Sequence, residues 1–218
     1  MLLAALAWSA CERSEPAAPT SSVAATAPEA AAQDTRPAVV FLGDSLTAGY
    51  GLLSDEAFPA LIQQKLDTEG LAFRVVNAGV SGDTSAGGRR RIDWLLRQPI
   101  AALVLELGAN DMLRGLEPKE LAANLRAIVD ATRAAHPDAR IVVVGMRAAP
   151  NLGASYGAEF EEAFRALARD TDAALVPFLL EGVAADRNLN QADGMHPTAE
   201  GHRILADTVW AVLGPLLR

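Results

Sequence analysis

The chain has 218 residues, half of them hydrophobic, which is enough to bury one full core and too few to make two ordinary domains the expectation. A net charge of -8 and a pI near 4.9 argue against a surface for polyanions, because phosphate backbones are held by clustered Lys and Arg, and no nucleic-acid partner is expected. No run reaches the roughly 18 to 20 apolar residues needed to cross a bilayer.

The N-terminal region differs in character from the rest. Met1 to Ala10 is largely apolar and runs into Cys11, and the segment from Glu12 to Arg36 is dominated by Ala, Pro, Ser and Thr. Residues 1–11 resemble a bacterial lipoprotein signal ending at a cysteine that becomes acylated, and 12–36 read as a disordered tether with no apolar face to bury. That resemblance implies export to the periplasm or outer membrane, with membrane contact only through a lipid on Cys11. Two features depart from the pattern: no Lys or Arg precedes the apolar run, and Trp8 stands where Leu is typical. Cys11 is the only cysteine, so an intramolecular disulfide is excluded; an ordinary secretory signal or a frayed terminus is the alternative.

From residue 37 onwards strands and helices alternate. Val39 to Leu42 is a short apolar run bounded by Gly43, suited to a strand covered on both faces, and it delivers Asp44-Ser45 at its carboxyl end. Ser54-Asp55 then precede Phe58, Pro59, Leu61, Ile62 and Leu66, which predicts a capped helix ending near Gly70. Phe73 to Asn77 predicts a strand, and Ile92, Leu95 and Leu96 mark a helix within Arg89 to Arg97. Ala101 to Leu107 is the next buried strand, followed by helical spacing at Leu121, Leu125, Ile128, Val129 and Thr132. Ile141 to Val144 and Ala173 to Phe178 predict two more strands, separated by a helix through Phe160, Phe164 and Leu167, and Ile204 to Leu213 predicts the last helix. Five strands joined by helical crossovers imply a three-layer α/β/α fold with a parallel sheet.

Ligands of such sheets bind at the carboxyl ends of the strands, and there the chain places its reactive side chains. A serine hydroxyl needs a base to take its proton, usually histidine. Of the three histidines, His136 falls at a helix end and reads as structural, and His202 falls in the last helix as a surface or packing residue. His196 stands in a loop before Pro197, three residues after Asp193, so a carboxylate can lie beside the imidazole, fix its tautomer and stabilise the imidazolium. Taken alone, Asp44-Ser45 reads equally well as a helix cap, and Asp193-Gly194 as a plain turn.

Four segments decide between these readings by occurring together. Gly43-Asp44-Ser45-Leu46, Asn77-Ala78-Gly79-Val80-Ser81-Gly82-Asp83-Thr84-Ser85, Gly108-Ala109-Asn110-Asp111 and Asp193-Gly194-Met195-His196-Pro197 resemble, in order, the four blocks of the GDSL or SGNH hydrolases. The likeness runs from about Ala38 to the C-terminus and is strongest to the bacterial arylesterase, thioesterase I and lysophospholipase L1 subgroup. It implies the flavodoxin-like strand order. It also implies a catalytic Ser45, Asp193 and His196, a structural Asp44, and an oxyanion hole from the backbone N–H groups of Ser45 and Gly82 with the Asn110 amide. The loop from Ala149 to Tyr156 resembles one that borders the acyl pocket in the relatives, which nominates Asn151, Leu152 and Tyr156 as substrate-binding residues.

The expected activity is hydrolysis of acyl esters or thioesters through an acyl-enzyme on Ser45, by a monomer acting on a small ester or lipid. Carbohydrate O-deacetylation by the same fold, or a non-catalytic acyl-binding lipoprotein, are the alternatives. Gly153-Ala154-Ser155-Tyr156-Gly157 also fits the string G-x-S-x-G, but Pro150 separates it from the nearest predicted strand, whereas an elbow needs the strand to run straight into the serine. Phosphate-loop, dinucleotide and H-E-x-x-H patterns do not occur, nor does a Cys/His zinc cluster, so neither cofactor nor metal is expected.

Overall fold

The computed structural model describes residues 34–218, so Cys11, the leader and most of the tether lie outside the described residues. Asp34 to Arg36, placed in the tether by composition, belong to the described unit, where the Arg36 guanidinium pairs with Asp34 at 2.7 Å and with Asp67 at 3.5 Å.

The strands are β1 (Ala38–Gly43), β2 (Arg74–Gly79), β3 (Ile100–Glu106), β4 (Arg140–Val144) and β5 (Ala174–Val176), all parallel, in the order β2-β1-β3-β4-β5. This is the flavodoxin-like order that the resemblance implies. The helices are α1 (Ser45–Ala48), α2 (Phe58–Thr68), α3 (Ser85–Leu95), α4 (Ala109–Leu113), α5 (Pro118–Ala135), α6 (Ala154–Asp170) and α7 (Ala199–Leu217). α2 and α7 pack together on one face of the sheet; α3, α5 and α6 cover the other. The double cover explains why β1 is buried at every position and carries no polar alternation. Phe41 of β1 is fully buried and meets Phe58 of α2 edge-on at 5.6 Å, a contact in which each ring contributes about 1.5–3 kcal/mol by leaving water. None of the helices among the described residues is long and apolar enough to cross a membrane.

Several boundaries differ from the sequence expectation for physical reasons. α2 is not capped by Ser54-Asp55: its N-cap is Ala57, which offers no side-chain acceptor, and the free N–H of Phe58 instead donates to Nδ1 of His202 at 3.1 Å. His202 is therefore a packing residue, fully buried between α7 and α2. α3 begins four residues before the predicted span, at Ser85, where Thr84 accepts from Gly87 N–H. Its two glycines lower helix propensity, yet each is required: a Cβ on Gly88 would sit 2.2 Å from Leu107, and one on Gly87 would meet Asp83.

The topology aligns three strand ends. Gly43 of β1 lies opposite Gly79 of β2 and opposite Glu106 of β3. The β1/β3 boundary is the switch point where the chain's crossovers reverse direction, and the crevice there is the default ligand site of this strand order.

Candidate active site

Ser45 follows β1 by two residues and opens α1, whose N-cap is Asp44; the Asp44 Oδ1 accepts from Leu46 N–H at 3.0 Å. The turn into the serine is therefore closed by a local hydrogen bond, and Gly79 permits α1 to rest on β2, since a Cβ there would lie 2.2 Å from the Ala48 nitrogen. Arg91 of α3 ties the first two blocks together. Its guanidinium donates to the carbonyls of Gly43 at 2.9 Å and Ala78 at 2.6 Å and pairs with Asp83 at 2.8 Å. Asp111 ties the second block to the third by accepting from both the N–H and the hydroxyl of Ser85, at 2.8 and 2.5 Å.

The loop ahead of α7 brings His196 to the serine: its Nε2 lies 3.0 Å from Ser45 Oγ, and its Nδ1 lies 2.6 Å from Asp193 Oδ2. Asp193 Oδ1 accepts from the backbone N–H groups of Met195 and His196, at 2.9 and 3.0 Å, so the turn that orients the carboxylate is built by the carboxylate itself. The backbone N–H and ring of His196, with Met195 N–H, hold the Asp193 carboxyl well below its ordinary range. It stays ionised and can only accept. Nδ1 of the imidazole must then be the donor, which leaves Nε2 with a lone pair facing the serine hydroxyl. Tyr50 covers the other side of the imidazole, with ring centroids 4.6 Å apart.

Gly82 stands in the turn after β2 at φ +81°, a backbone region that side chains disfavour, and its carbonyl accepts from Arg114 at 2.8 Å. Asn110 stands in the first turn of α4 and donates its side-chain amide to Asp44 Oδ2 at 3.0 Å. Ser45, Gly82, Asn110 and His196 share one cavity of about 750 Å³, whose remaining wall is largely apolar, with Met112, Met146, Phe178 and Leu180 among its residues. A group held there can meet a hydroxyl with a base behind it, amide donors to one side and a hydrocarbon wall beyond. Such a site can take an acyl carbonyl through a tetrahedral adduct.

The three nominated substrate-binding residues are placed elsewhere. Asn151 and Leu152 form a single 3₁₀ turn, Pro150–Leu152, and do not line the cavity. Tyr156 is carried off by the start of α6, where its hydroxyl donates to the Leu116 carbonyl at 2.8 Å and its ring stacks on Phe160. The segment of the same connection that does reach the cavity is Met146 to Ala149, directly after β4. Ser155 lies exposed in α6 and donates to Glu159 at 3.1 Å, away from any strand-to-helix elbow. His136 caps α5, with Nε2 2.9 Å from the Leu96 carbonyl. Asp44 makes no hydrogen bond to an imidazole. Among the described residues, no group of three or more His, Cys, Asp or Glu is disposed to hold a metal.

An α/β/α sheet with a serine, histidine and aspartate linked at its switch point is the arrangement of the serine hydrolases of this fold. A model of the GDSL-like lipase/acylhydrolase family matches residues 41–204, and the chain belongs to that family. It is 42% identical to the esterase TesA of Pseudomonas aeruginosa over 180 residues, a match spanning 82% of this chain and 89% of that one. It is 38% identical to the thioesterase 1/protease 1/lysophospholipase L1 of Escherichia coli strain K12 over 193 residues, 86% of this chain and 87% of the other. The crystal structure of TesA superposes with a TM-score of 0.78 at 41% identity, covering 82% of this chain and 99% of that one.

Proposed function

We propose that this chain hydrolyses acyl esters and thioesters through an acyl-enzyme on Ser45. Its enzyme class, a carboxylic ester hydrolase of the SGNH type, follows from the family and from relatives named esterase and thioesterase. The observation that carries the proposal is the hydrogen-bonded line from Asp193 through His196 to Ser45 at the mouth of an apolar cavity. His196 Nε2 accepts the serine proton as Oγ attacks the carbonyl carbon, and the imidazolium then protonates the leaving alkoxide or thiolate. Water, deprotonated by the same nitrogen, attacks the acyl-enzyme, and Ser45 Oγ leaves with its proton restored. The tetrahedral oxyanion is met by the N–H groups of Ser45 and Gly82 and by the Asn110 amide.

The apolar wall supports an acyl chain over an acetylated sugar, since a carbohydrate would leave its hydroxyls without partners there. An ester series of increasing acyl length, run beside an acetylated oligosaccharide, tests this. Turnover of the esters with acyl length-dependent kcat/KM is expected; faster turnover of the sugar would replace the proposal by O-deacetylation. We propose a monomer, readable by size-exclusion chromatography. We also propose export with a lipid on Cys11. Cys11→Ser is expected to release the protein to the soluble fraction, or block its processing, with unchanged specific activity; identical fractionation and processing of the two would refute it.

A further inference from the structure

Beneath the serine turn lies a carboxyl that the steps above do not use. Glu106 ends β3 opposite Gly43, is 1% exposed and does not line the cavity. Its Oε2 accepts from the Thr47 hydroxyl at 2.7 Å and lies 3.4 Å from the Asp44 N–H. Its Oε1 is closed off from solvent and has no partner among the described residues. Asp44 beside it is equally buried but fully served, with Leu46 N–H on one oxygen and the Asn110 amide on the other, each at 3.0 Å. Two carboxylate charges in one closed space oppose each other, and an ionised oxygen without a donor pays its full desolvation cost. The single charge therefore belongs to Asp44 and the single proton to Glu106.

A second observation points to the same unit. A Cβ on Gly43 would lie 2.0 Å from Thr47 Oγ1 and 2.6 Å from Glu106 Oε2. Gly43 carries no positive φ, so its freedom of conformation is not what the turn requires. The glycine ahead of Asp44-Ser45 is the space that the Thr47–Glu106 pair occupies.

We propose that Glu106 is a positioning residue held as a neutral acid. It grips the Ser45 turn through the Thr47 hydroxyl and the Asp44 N–H, and its neutrality leaves Asp44 as the one carboxylate against which the Asn110 amide is oriented. The inference rests on Ser45 being the nucleophile. Burial pushes the Glu106 carboxyl well above its ordinary range with Asp44 opposing a second ionisation, and burial likewise pushes Asp44 up to about 6. The other charged groups around the pair are Asp111 from α4 and His196 from the loop ahead of α7, which act on Asp44, and Arg91 from α3, which reaches the Gly43 carbonyl and is paired with Asp83.

The test compares wild type, Glu106→Gln, Glu106→Leu and Thr47→Val in kcat, KM, melting temperature, the acid limb of kcat/KM and the rate of covalent labelling by a fluorophosphonate. Glu106→Gln keeps the shape, the neutrality and an acceptor for Thr47, so kcat stays within about threefold of wild type and the acid limb does not move. Glu106→Leu and Thr47→Val lose the grip on the turn, so kcat and the labelling rate fall together by about ten- to a hundredfold while KM holds. Thr47→Val deletes one hydroxyl at constant shape and decides the matter if Glu106→Leu does not fold. Label found on a serine other than Ser45 would overturn the nucleophile itself. If Ser45 is labelled, a wild-type kcat in folded Thr47→Val would overturn this inference alone. An acid limb shifted down by about half a unit in Glu106→Gln would do the same, because a downward shift means that a negative charge, not a neutral acid, was removed from beside the site.

Discussion

The side-chain amide of Asn110 donates to Oδ2 of Asp44 at 3.0 Å, across the crevice between β1 and β3. A carboxylate oxygen can only accept, so this contact decides which end of the amide is nitrogen and points it toward the serine turn. One of the two amide hydrogens is used by Asp44, and the second is free for an oxyanion. Asn110→Ala is expected to lower kcat by about 10² to 10³ with KM nearly unchanged, because the oxyanion exists only once the carbonyl has become tetrahedral. Measuring kcat, KM and melting temperature together separates this from a structural role. A stably folded Asn110→Ala protein with wild-type kcat would remove Asn110 from the site.

Asp193 is held ionised by its backbone and imidazole donors, so its own titration lies below the range in which the enzyme works. Nε2 of His196 takes the serine proton only with its lone pair free, and Asp44, raised to about 6, orients Asn110 only as a carboxylate, so kcat/KM is expected to climb with pH to a plateau. Asp193→Asn presents an amide to Nδ1 and removes the charge that stabilises the imidazolium. A loss in kcat of up to about 10⁴ is expected, as for the same change in the serine-protease triad. Full activity in His196→Ala, with loss in His202→Ala, would overturn the choice of base.

His202 supplies an expectation about stability. Burial pulls its imidazole down to about 4, because the ring is enclosed, with Nδ1 accepting from Phe58 N–H and Nε2 without a partner among the described residues. The unfolded chain binds this proton near the ordinary value of about 6.5 and the folded chain does not until about 4. The stabilisation is thus fully present above the unfolded value and is lost progressively as pH falls toward the folded one. Asp44 and Glu106 are shifted upward and act in the opposite sense over part of this window, so wild-type stability alone does not isolate the effect. His202→Asn keeps an acceptor for Phe58 N–H and removes the titration. The gap in melting temperature between wild type and His202→Asn should shrink from pH 7 to pH values near 4.5; a constant gap would contradict the assignment.

The fold was legible where burial writes itself into composition. β1 and β3 read as unbroken apolar runs because both faces of a parallel sheet are covered, and α5 kept its spacing at Leu121, Leu125, Ile128 and Val129. The site was legible because its four segments are short, ordered and adjacent to strand ends. What stayed hidden depends on contacts distant in sequence. The cap on α2 comes from His202, 144 residues away, and no local pattern near Phe58 announces it. The start of α3 was masked by Gly87 and Gly88, whose small size serves packing against Leu107 and Asp83. The cavity wall was displaced by a few residues, from Asn151, Leu152 and Tyr156 to Met146 through Ala149, because a 3₁₀ turn at Pro150 diverts the chain before α6. Glu106 falls inside the strand predicted from Ala101 to Leu107 and nothing local singles it out, since its partners Thr47 and Asp44 are about 60 residues earlier.

The central claim, a nucleophile at Ser45 activated by His196, is tested most directly by covalent labelling with a fluorophosphonate followed by peptide mapping. The wild type should carry one label, on Ser45, and lose ester hydrolysis in proportion to labelling. Ser45→Ala should fold with an unchanged melting temperature, take up no label and show essentially no turnover, since the hydroxyl's only side-chain partner among the described residues is the His196 ring. A label on Ser155 or any other serine, or a folded Ser45→Ala protein that still turns over ester, would contradict it.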